Sequence, residues 1–418
     1  MAASREFDFI VLGPTGFTGK FASRHIYKTF PTNLKWALGG RSAQKLQAIV
    51  EELRSLNVDR PAPEIITLQL NKSELDALAK RTRLIINCVG PFHLYSTPVV
   101  EACAQNGTHY VDISGETPWL KKVIDEYHEI AKQNGALIIP ACAFESTTAD
   151  LMTWLAATHA RTELSAEPGE TIGSIHELRP ASLSGGTAHS LITMLESLKV
   201  SGALKSAGIT SLASPTAPPP PKRPSQSLIE LVLGVRAVSD LGTLTTSPAK
   251  LADESVVYRS RSLMPQLYGP SFSFREYLRT RNVFTGAVFH LTLVIGLALL
   301  LFSPFRWLFR RIVPGPSQAL PELERKDGQV QFRVLMDTTS TGPTGKARRV
   351  LSSLAYPAGP YPFSGVSVAS AANVILNHEN DIKKIAGGAG FLTPAVLGQH
   401  YVDELEKNGV RIDAKVIE

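Results

Sequence analysis

Short apolar runs recur through the first 150 positions, separated by stretches of mixed polarity long enough for helices. They read FDFIVLG at 7–13, LKWALGG at 34–40, EIITLQL at 64–70, RLIINCVG at 83–90, HYVDIS at 109–114 and ALIIPACAF at 136–144. Strands that alternate with helices build a parallel sheet. Apolar residues fill these runs instead of alternating with polar ones, which predicts strands covered on both faces. The expected fold class is therefore α/β, with a Rossmann-type doubly wound domain over residues 1–150.

The first run leads straight into GPTGFTG, where Gly13, Gly16 and Gly19 stand three apart, and a helix-compatible stretch follows from Phe17 to Phe30. In a strand–loop–helix context such glycines permit a tight turn, a close backbone approach to a pyrophosphate and close packing of the helix on the sheet. Free N–H groups and the positive end of the helix then hold phosphate. Gly13, Thr15, Gly16, Phe17, Thr18 and Gly19 are the expected coenzyme loop; a structural glycine turn is the competing reading. At the end of the second strand an acidic residue would bind a ribose 2′-hydroxyl, whereas arginine accommodates a 2′-phosphate. This chain has Gly39-Gly40-Arg41-Ser42 with Lys45 one turn on, which predicts NADP(H) over NAD(H); a solvated Arg41 at a turn is the alternative. Asn87, Gly90 and Pro91 end the fourth strand and should border the coenzyme, because ligands lie at the carboxyl edge of such sheets. Asp112, Ser114, Gly115 and Glu116 follow the fifth strand. Asp112 and Ser114 are candidate catalytic groups there, with capping of the helix from Pro118 to Asn134 as the alternative role.

Beyond residue 150 the pattern changes. LMTWLAATHA continues as a helix, TIGSIHELRP at 171–180 reads as a strand, and SLSGGTAHSLITMLESLK as a helix capped by Ser184 or Thr187. Ser184 is the third catalytic candidate, at a helix start that can take a carboxyl, carbonyl or phosphate; His189 inside that helix is read as structural. Residues 213–225, ASPTAPPPPKRPS, predict an exposed, extended insertion. VFTGAVFHLTLVIGLALLLF at 283–302 carries no charge, and as a helix it would be about 30 Å long, the thickness of a bilayer's hydrocarbon core. FRWLFRRIV at 305–313 then mixes aromatics with arginines, as a helix in a headgroup layer does. QVQFRVLMD at 329–337 reads as a strand, and 364–379 and 395–408 as helical segments that close the chain.

Composition narrows the classes. At 418 residues with 44% apolar content the chain can bury ordinary cores. A net charge of +6 is too mild to argue for nucleic acid, so no nucleic-acid partner is expected. Cys88, Cys103 and Cys142 lie in or beside apolar runs, which suits reduced thiols facing the cytosol, and no cysteine pair has metal spacing, so no metal site is expected. The start of the chain is the coenzyme strand and not a leader-like run, and DAKVIE carries no sorting address.

The stretch VGPFHLYSTPVVEACAQNGTHYVDISGE at 89–116, with the GPTGFTG loop and the GGRS turn, resembles the saccharopine dehydrogenase-like oxidoreductases, which are related to bacterial trans-acting enoyl reductases of glycolipid synthesis. Ser184-Gly185-Gly186-Thr187 and GGAGFLTPAVLG at 387–398 resemble further motifs of that family. Ser96, Glu145 and Thr148 depart from it, since relatives carry glycine at the first position and an aspartate–serine–x–proline pattern around the other two. The resemblance implies an NADP-binding Rossmann domain at 1–150 and a mixed-sheet α+β substrate domain. That second domain would comprise 151–282, with the 213–225 insertion, and 320–418, whose C-terminal helix returns to the first; 283–313 would be a lipid-surface segment between them. A single membrane span would place 320–418 across a bilayer from the rest of its own domain, and two crossings need about forty residues, so attachment to one leaflet or to a droplet monolayer is preferred. A buried helix or a homodimer contact is the alternative.

The expected function is NADP(H)-dependent oxidation or reduction of an apolar carbonyl or enoyl substrate at a lipid surface, in lipid or glycolipid metabolism. Expected partners are a small-molecule or lipid substrate and the cytosolic face of a lipid droplet, the endoplasmic reticulum or a mitochondrion. Two alternatives stand beside it. One is a non-catalytic dinucleotide-binding protein of droplets or membranes. The other is a soluble lysine-pathway saccharopine dehydrogenase, which would need arginines converging on carboxylates.

Overall fold

A computed structural model of the protein describes residues 5–181, 184–197, 208–313, 315, 327–342 and 347–418. Residues 182–183 and 198–199, at the ends of the SLSGGTAHSLITMLESLK stretch, and 320–326, at the start of the expected last segment, lie outside the described residues. The strands are β1 (Phe7–Leu12), β2 (Trp36–Gly40), β3 (Glu64–Thr67), β4 (Thr82–Asn87), β5 (His109–Asp112), β6 (Leu137–Ile139) and β7 (Pro168–Arg179). They continue with β8 (Arg236–Val238), β9 (Gly242–Thr246), β10 (Ser273–Arg279), β11 (Gln329–Thr341), β12 (Ala347–Tyr356), β13 (Gly390–Phe391) and β14 (Arg411–Ile417).

The first sheet has the order β13-β6-β5-β4-β1-β2-β3 and is parallel throughout. Alternate residues of β1 serve its two faces. Phe9 and Val11 join the helices Phe17–Thr29 and Ala43–Leu56, while Ile10 and Leu12 join Lys72–Arg81 and Thr97–Asn106. Both faces are therefore covered, which is why these strands are apolar at nearly every position. The second sheet has the order β14-β12-β11-β7-β10-β9-β8; β7 and β10 are parallel and the other pairs antiparallel. One apolar cluster runs from Phe9 and Val11 to Phe332, Val334 and Leu354, so a face of each sheet shares a single core. Helices Phe144–Thr162 and Pro360–Ala386 lie within it.

The α/β class with a second mixed sheet holds, and four details differ from the sequence reading. Helix Phe144–Thr162 runs through the expected boundary at residue 150, because its buried face packs on strands of the second sheet. The C-terminal region returns to the first sheet as a strand as well as a helix: Gly390 and Phe391 pair with Leu137 and Ile138 of β6. The proline tract is strapped down rather than free. Proline carbonyls remain acceptors although the ring removes the N–H donor. Arg261 donates to Pro218 O at 2.8 Å, Arg275 to Pro224 O at 2.6 Å, and Arg223 reaches Glu254 at 2.7 Å.

The fourth difference removes the buried-helix alternative for the uncharged segment. Helix Val283–Leu300 buries only Gly286 and Leu300, and Phe284 is 76% exposed. Its first turns are rooted in the second sheet: Thr245 Oγ1 donates to Gly286 O at 2.8 Å, and Thr246 Oγ1 meets His290 Nδ1 at 2.8 Å. Helix Ser303–Ile312 buries no residue. The short helix Leu228–Leu233, which packs near the base of the long one, adds the exposed side chains of Leu228, Ile229, Leu231 and Val232.

Candidate active site

Gly13 leaves β1 with φ +76°, a conformation that side chains resist, and an added Cβ there would lie 2.9 Å from Val89 Cγ2. Gly16 N–H closes the turn onto Gly13 O at 3.1 Å. At Gly19 an added Cβ would overlap the Gly13 carbonyl, so the helix can sit this close to the loop only without a side chain. Helix Phe17–Thr29 starts at Gly16 with no side-chain cap and no acidic residue in its first turn. The hydroxyls of Thr15 and Thr18 have no partner among the described residues. The result is a concave set of unpaired donors at a helix N-terminus, which fits a diphosphate.

At the end of β2, Ser42 is committed to structure, since its Oγ accepts Lys45 N–H at 3.3 Å and caps helix Ala43–Leu56. Arg41 and the Lys45 ammonium are exposed, and neither has an ion pair among the described residues. Two free cations beside a Gly-Gly strand end suit a 2′-phosphate, so the residues present fit a phosphorylated dinucleotide.

Asn87 is fully buried and organises the turn after β4. Its Nδ2 donates to Ser96 Oγ at 2.8 Å and to Tyr110 OH at 3.0 Å, and its Oδ1 accepts Val89 N–H at 3.1 Å. Ser96, one of the departures from the family pattern, passes a hydrogen bond on to Val89 O at 2.9 Å and so supports this turn. Gly90 is left exposed, with its added Cβ 4.0 Å from Ser190 Oγ on helix Gly185–Ser197. Pro91 O accepts the N–H groups of Leu94 and Tyr95, both at 3.2 Å, and so starts the next short helix.

Asp112 and Ser114, two of the three catalytic candidates, are buried and bonded to each other inside the protein. Asp112 is 0% exposed; Oδ1 accepts from Ser114 N at 2.9 Å, Ser114 Oγ at 2.7 Å and Ala141 N at 2.8 Å, while Oδ2 accepts from Tyr110 OH at 2.8 Å. Burial raises its pKa and these donors oppose the rise. With four acceptor positions filled, the carboxylate ties the end of β5 to the turn after β6. Neither residue caps the following helix, which has no side-chain cap. The carboxylate turned toward the β4 end is Glu116, which accepts the backbone N–H of Phe92 and of His93, each at 2.9 Å, and His93 Nδ1 at 2.5 Å. His93 Nε2 is buried with no hydrogen-bond partner. Sequence reading passed over this pair because its members stand 23 positions apart.

The second domain closes over the loop. Ser184 is 6% exposed; its N–H donates to Tyr361 OH at 2.6 Å, and its Oγ accepts Thr187 N–H at 3.2 Å as a helix cap. The Tyr361 ring meets Phe17 edge-on at 5.1 Å. Ser184 therefore approaches the coenzyme loop through Tyr361, and the exposed Thr187, Gly90, Gly115 and Glu145 flank the same carboxyl edge. At the opposite edge, His378, Asp381 and His400 bring potential metal-ligating atoms within 4.8 Å of one another, a convergence the sequence reading did not anticipate.

Comparison with known proteins agrees with this geometry. Residues 9–139 match the family described as saccharopine dehydrogenase NADP binding domain. A trans-acting enoyl reductase of Mycobacterium ulcerans is 27% identical over 435 residues, covering 99% of each chain. A saccharopine dehydrogenase-like oxidoreductase of Bos taurus is 27% identical over 436 residues, covering 97% of this chain and 96% of its own. Among solved structures, L-glutamate-forming saccharopine dehydrogenase of Saccharomyces cerevisiae superposes with a TM-score of 0.57 at 12% identity, covering 99% of this chain and 100% of its own, a likeness of fold.

Proposed function

We propose that the chain, which is similar to saccharopine dehydrogenase-like oxidoreductases and trans-acting enoyl reductases along nearly its whole length, is an NADP(H)-dependent oxidoreductase. It acts at a cytosol-facing lipid surface on an apolar carbonyl or enoyl substrate. The observation that carries the coenzyme assignment is the uncapped helix at Gly16, walled by glycines whose Cβ positions are already occupied. The amides from Phe17 to Gly19 and the hydroxyls of Thr15 and Thr18 would hold the diphosphate, and Arg41 with Lys45 the 2′-phosphate. Gly90 leaves room above the β4 end for the nicotinamide, which supplies hydride when bound. Tyr361, Ser184 and Thr187 roof the cleft and limit water. Titration with NADPH and NADH tests this: tighter NADPH binding that Arg41→Ala removes supports it, and equal affinities unchanged by Arg41→Ala refute it.

The lipid assignment draws on topology. The excursion that carries helices Val283–Leu300 and Ser303–Ile312 leaves after β10 and returns at β11, and both strands pair with β7. A single crossing would put two neighbours of one strand on opposite sides of a membrane. A helix lying on or dipping into one leaflet leaves the sheet intact, and the apolar face of Leu228–Leu233 widens the contact. The exposed Arg311, whose guanidinium lies 3.9 Å from the Trp307 ring centroid, would meet headgroup phosphates, while Arg306 and Arg310 face Glu196. Flotation with phosphatidylcholine-coated triolein droplets separates the outcomes. Loss on deleting 283–313 supports the anchor, whereas a monomeric deletion form of a dimeric parent with unchanged flotation makes the surface a contact between copies. The arginines that a tricarboxylic substrate would need are used elsewhere: Arg223 pairs with Glu254, and Arg259, Arg261 and Arg275 donate to backbone carbonyls.

A further inference from the structure

Helix Phe144–Thr162 begins just after β6, so its first turn lies on the carboxyl edge of the parallel sheet, as do Gly13 and Gly90. Phe144 N–H donates to Ser364 Oγ at 3.0 Å, and Ser364 stands one turn beyond Tyr361 on the same helix. The next residue is Glu145. Its side chain is open to solvent, and its carboxylate has no partner among the described residues. Loss of hydration nevertheless raises its pKa. The side chain opens at the carboxyl edge of the parallel sheet, the edge where Gly13 and Gly90 lie.

Behind it lies a second, sealed feature. Asp253 and Glu276 are both 0% exposed. Asp253 Oδ1 accepts from Ser146 Oγ at 2.8 Å, and Glu276 Oε1 from Ser247 Oγ at 2.6 Å. Asp253 Oδ2 and Glu276 Oε2 are left buried without a donor. The two carboxyl groups interact directly: burial, then Glu276, holds Asp253 well above the usual range, while burial holds Glu276 at about 7 although its contact with Asp253 opposes the rise. Two buried carboxyls in contact cannot both ionise, so the pair keeps at least one proton. Glu145 is within the electrostatic reach of both, and Ser146, which anchors Asp253, is its chain neighbour. The nearby cation does not neutralise the pair, since Arg223 is held by Glu254 and Tyr258.

We propose that Glu145 is the catalytic acid, giving its proton to the carbonyl oxygen of the substrate; the sealed Asp253 and Glu276 take no part in that transfer. The inference rests on the oxidoreductase reading above. Hydride addition to a carbonyl carbon, or to the far carbon of a conjugated double bond, leaves negative charge on the carbonyl oxygen. The Glu145 O–H bond then breaks, the proton bonds to that oxygen, and the electron pair stays on the carboxylate. The substrate is reduced, NADPH is oxidised to NADP+, and water entering the cleft returns the proton.

The test compares wild-type, E145Q and E145D full-length chains, with NADPH as coenzyme and trans-2-decenal as probe. E145Q should lower kcat by about 100-fold or more, the range for loss of a general acid. Its NADPH Kd should stay within about two-fold by the same argument, since the residue touches substrate and not the diphosphate. E145D should recover part of the rate and move the alkaline limb of the kcat–pH profile. An E145Q enzyme with wild-type kcat overturns the inference and leaves the oxidoreductase reading standing. A wild-type chain that binds no NADPH overturns the reading itself. Infrared spectra of the NADPH complexes need no turnover: a protonated-carboxyl band present in wild type and absent in E145Q supports the inference, and identical spectra overturn it.

Discussion

The two seven-stranded sheets use polar groups in opposite ways. At the carboxyl edge of the parallel sheet, recognition is built from backbone donors kept bare by Gly13, Gly16 and Gly19. In the mixed sheet and the helix Lys250–Leu263 that covers it, Asp253 and Glu276 are side-chain carboxyls sealed from water. A bare backbone grips the same diphosphate whatever substrate comes with it. Desolvated side chains hold protons, and the substrate half of the cleft is where protons have to be handled. The division of labour follows from what each sheet's connections can bring together. Parallel strands with helical crossovers align helix starts along one edge, while the mixed sheet gathers segments that are far apart in the chain.

Gly19→Val should disturb this contrast most. Its side chain would overlap the Gly13 carbonyl, so calorimetry should show NADPH affinity falling by about 1,000-fold or more, equivalent to roughly 4 kcal/mol. Near-wild-type binding would break the claim that the first sheet recognises through its backbone. Glu276→Gln probes the other sheet. The folded chain holds this carboxyl at about 7 against an ordinary 4.5, so between those values it binds more protons than the unfolded chain does. The stabilisation is complete below about pH 4.5 and is lost as pH rises toward 7. Urea titrations across that window should show Glu276→Gln flattening the slope by on the order of 3 kcal/mol. Some slope remains, because buried Asp150 is also held at about 7 and acts with the same sign. Arg41→Ala should weaken NADPH by about tenfold, near 1.4 kcal/mol, and leave NADH unchanged. An equal loss for both coenzymes would move Arg41 from selecting the phosphate to supporting the fold. Ser42→Ala, next to it, removes a cap and should cost about 1 kcal/mol in thermal unfolding with little change in affinity.

How far each half could be read from sequence follows the same divide. The glycine loop, the strands up to residue 139 and the Arg41 position declare themselves through local spacing, because a βαβ unit is built from neighbours in the chain. The uncharged run at 283–302 was equally plain, and only its exposure needed the structure. Asp112 looked available because a strand end suggests an open edge; Ala141, which fills its remaining acceptor site, lies 29 positions away. The Asp253–Glu276 pair leaves no trace in spacing, since one member is on a helix and the other on a strand, and burial creates their interaction. The hold on the proline tract, read only as an exposed, extended insertion, was not legible because its partners, Arg261 and Arg275, lie far downstream. The exposed stripe of Leu228–Leu233 is six residues long, too short for a periodicity to stand out.

The pairing of Gly390 and Phe391 with β6 bears on how the protein is made. A chain emerging from the ribosome completes the six amino-terminal strands long before the seventh arrives, and until then the outer edge of β6 offers unpaired amides to any passing strand. Translation must pass Phe391 before the coenzyme domain is sealed. A stop codon or frameshift near position 385 would thus injure the opposite end of the polypeptide, and NADPH present during synthesis should rescue full-length product better than truncated product.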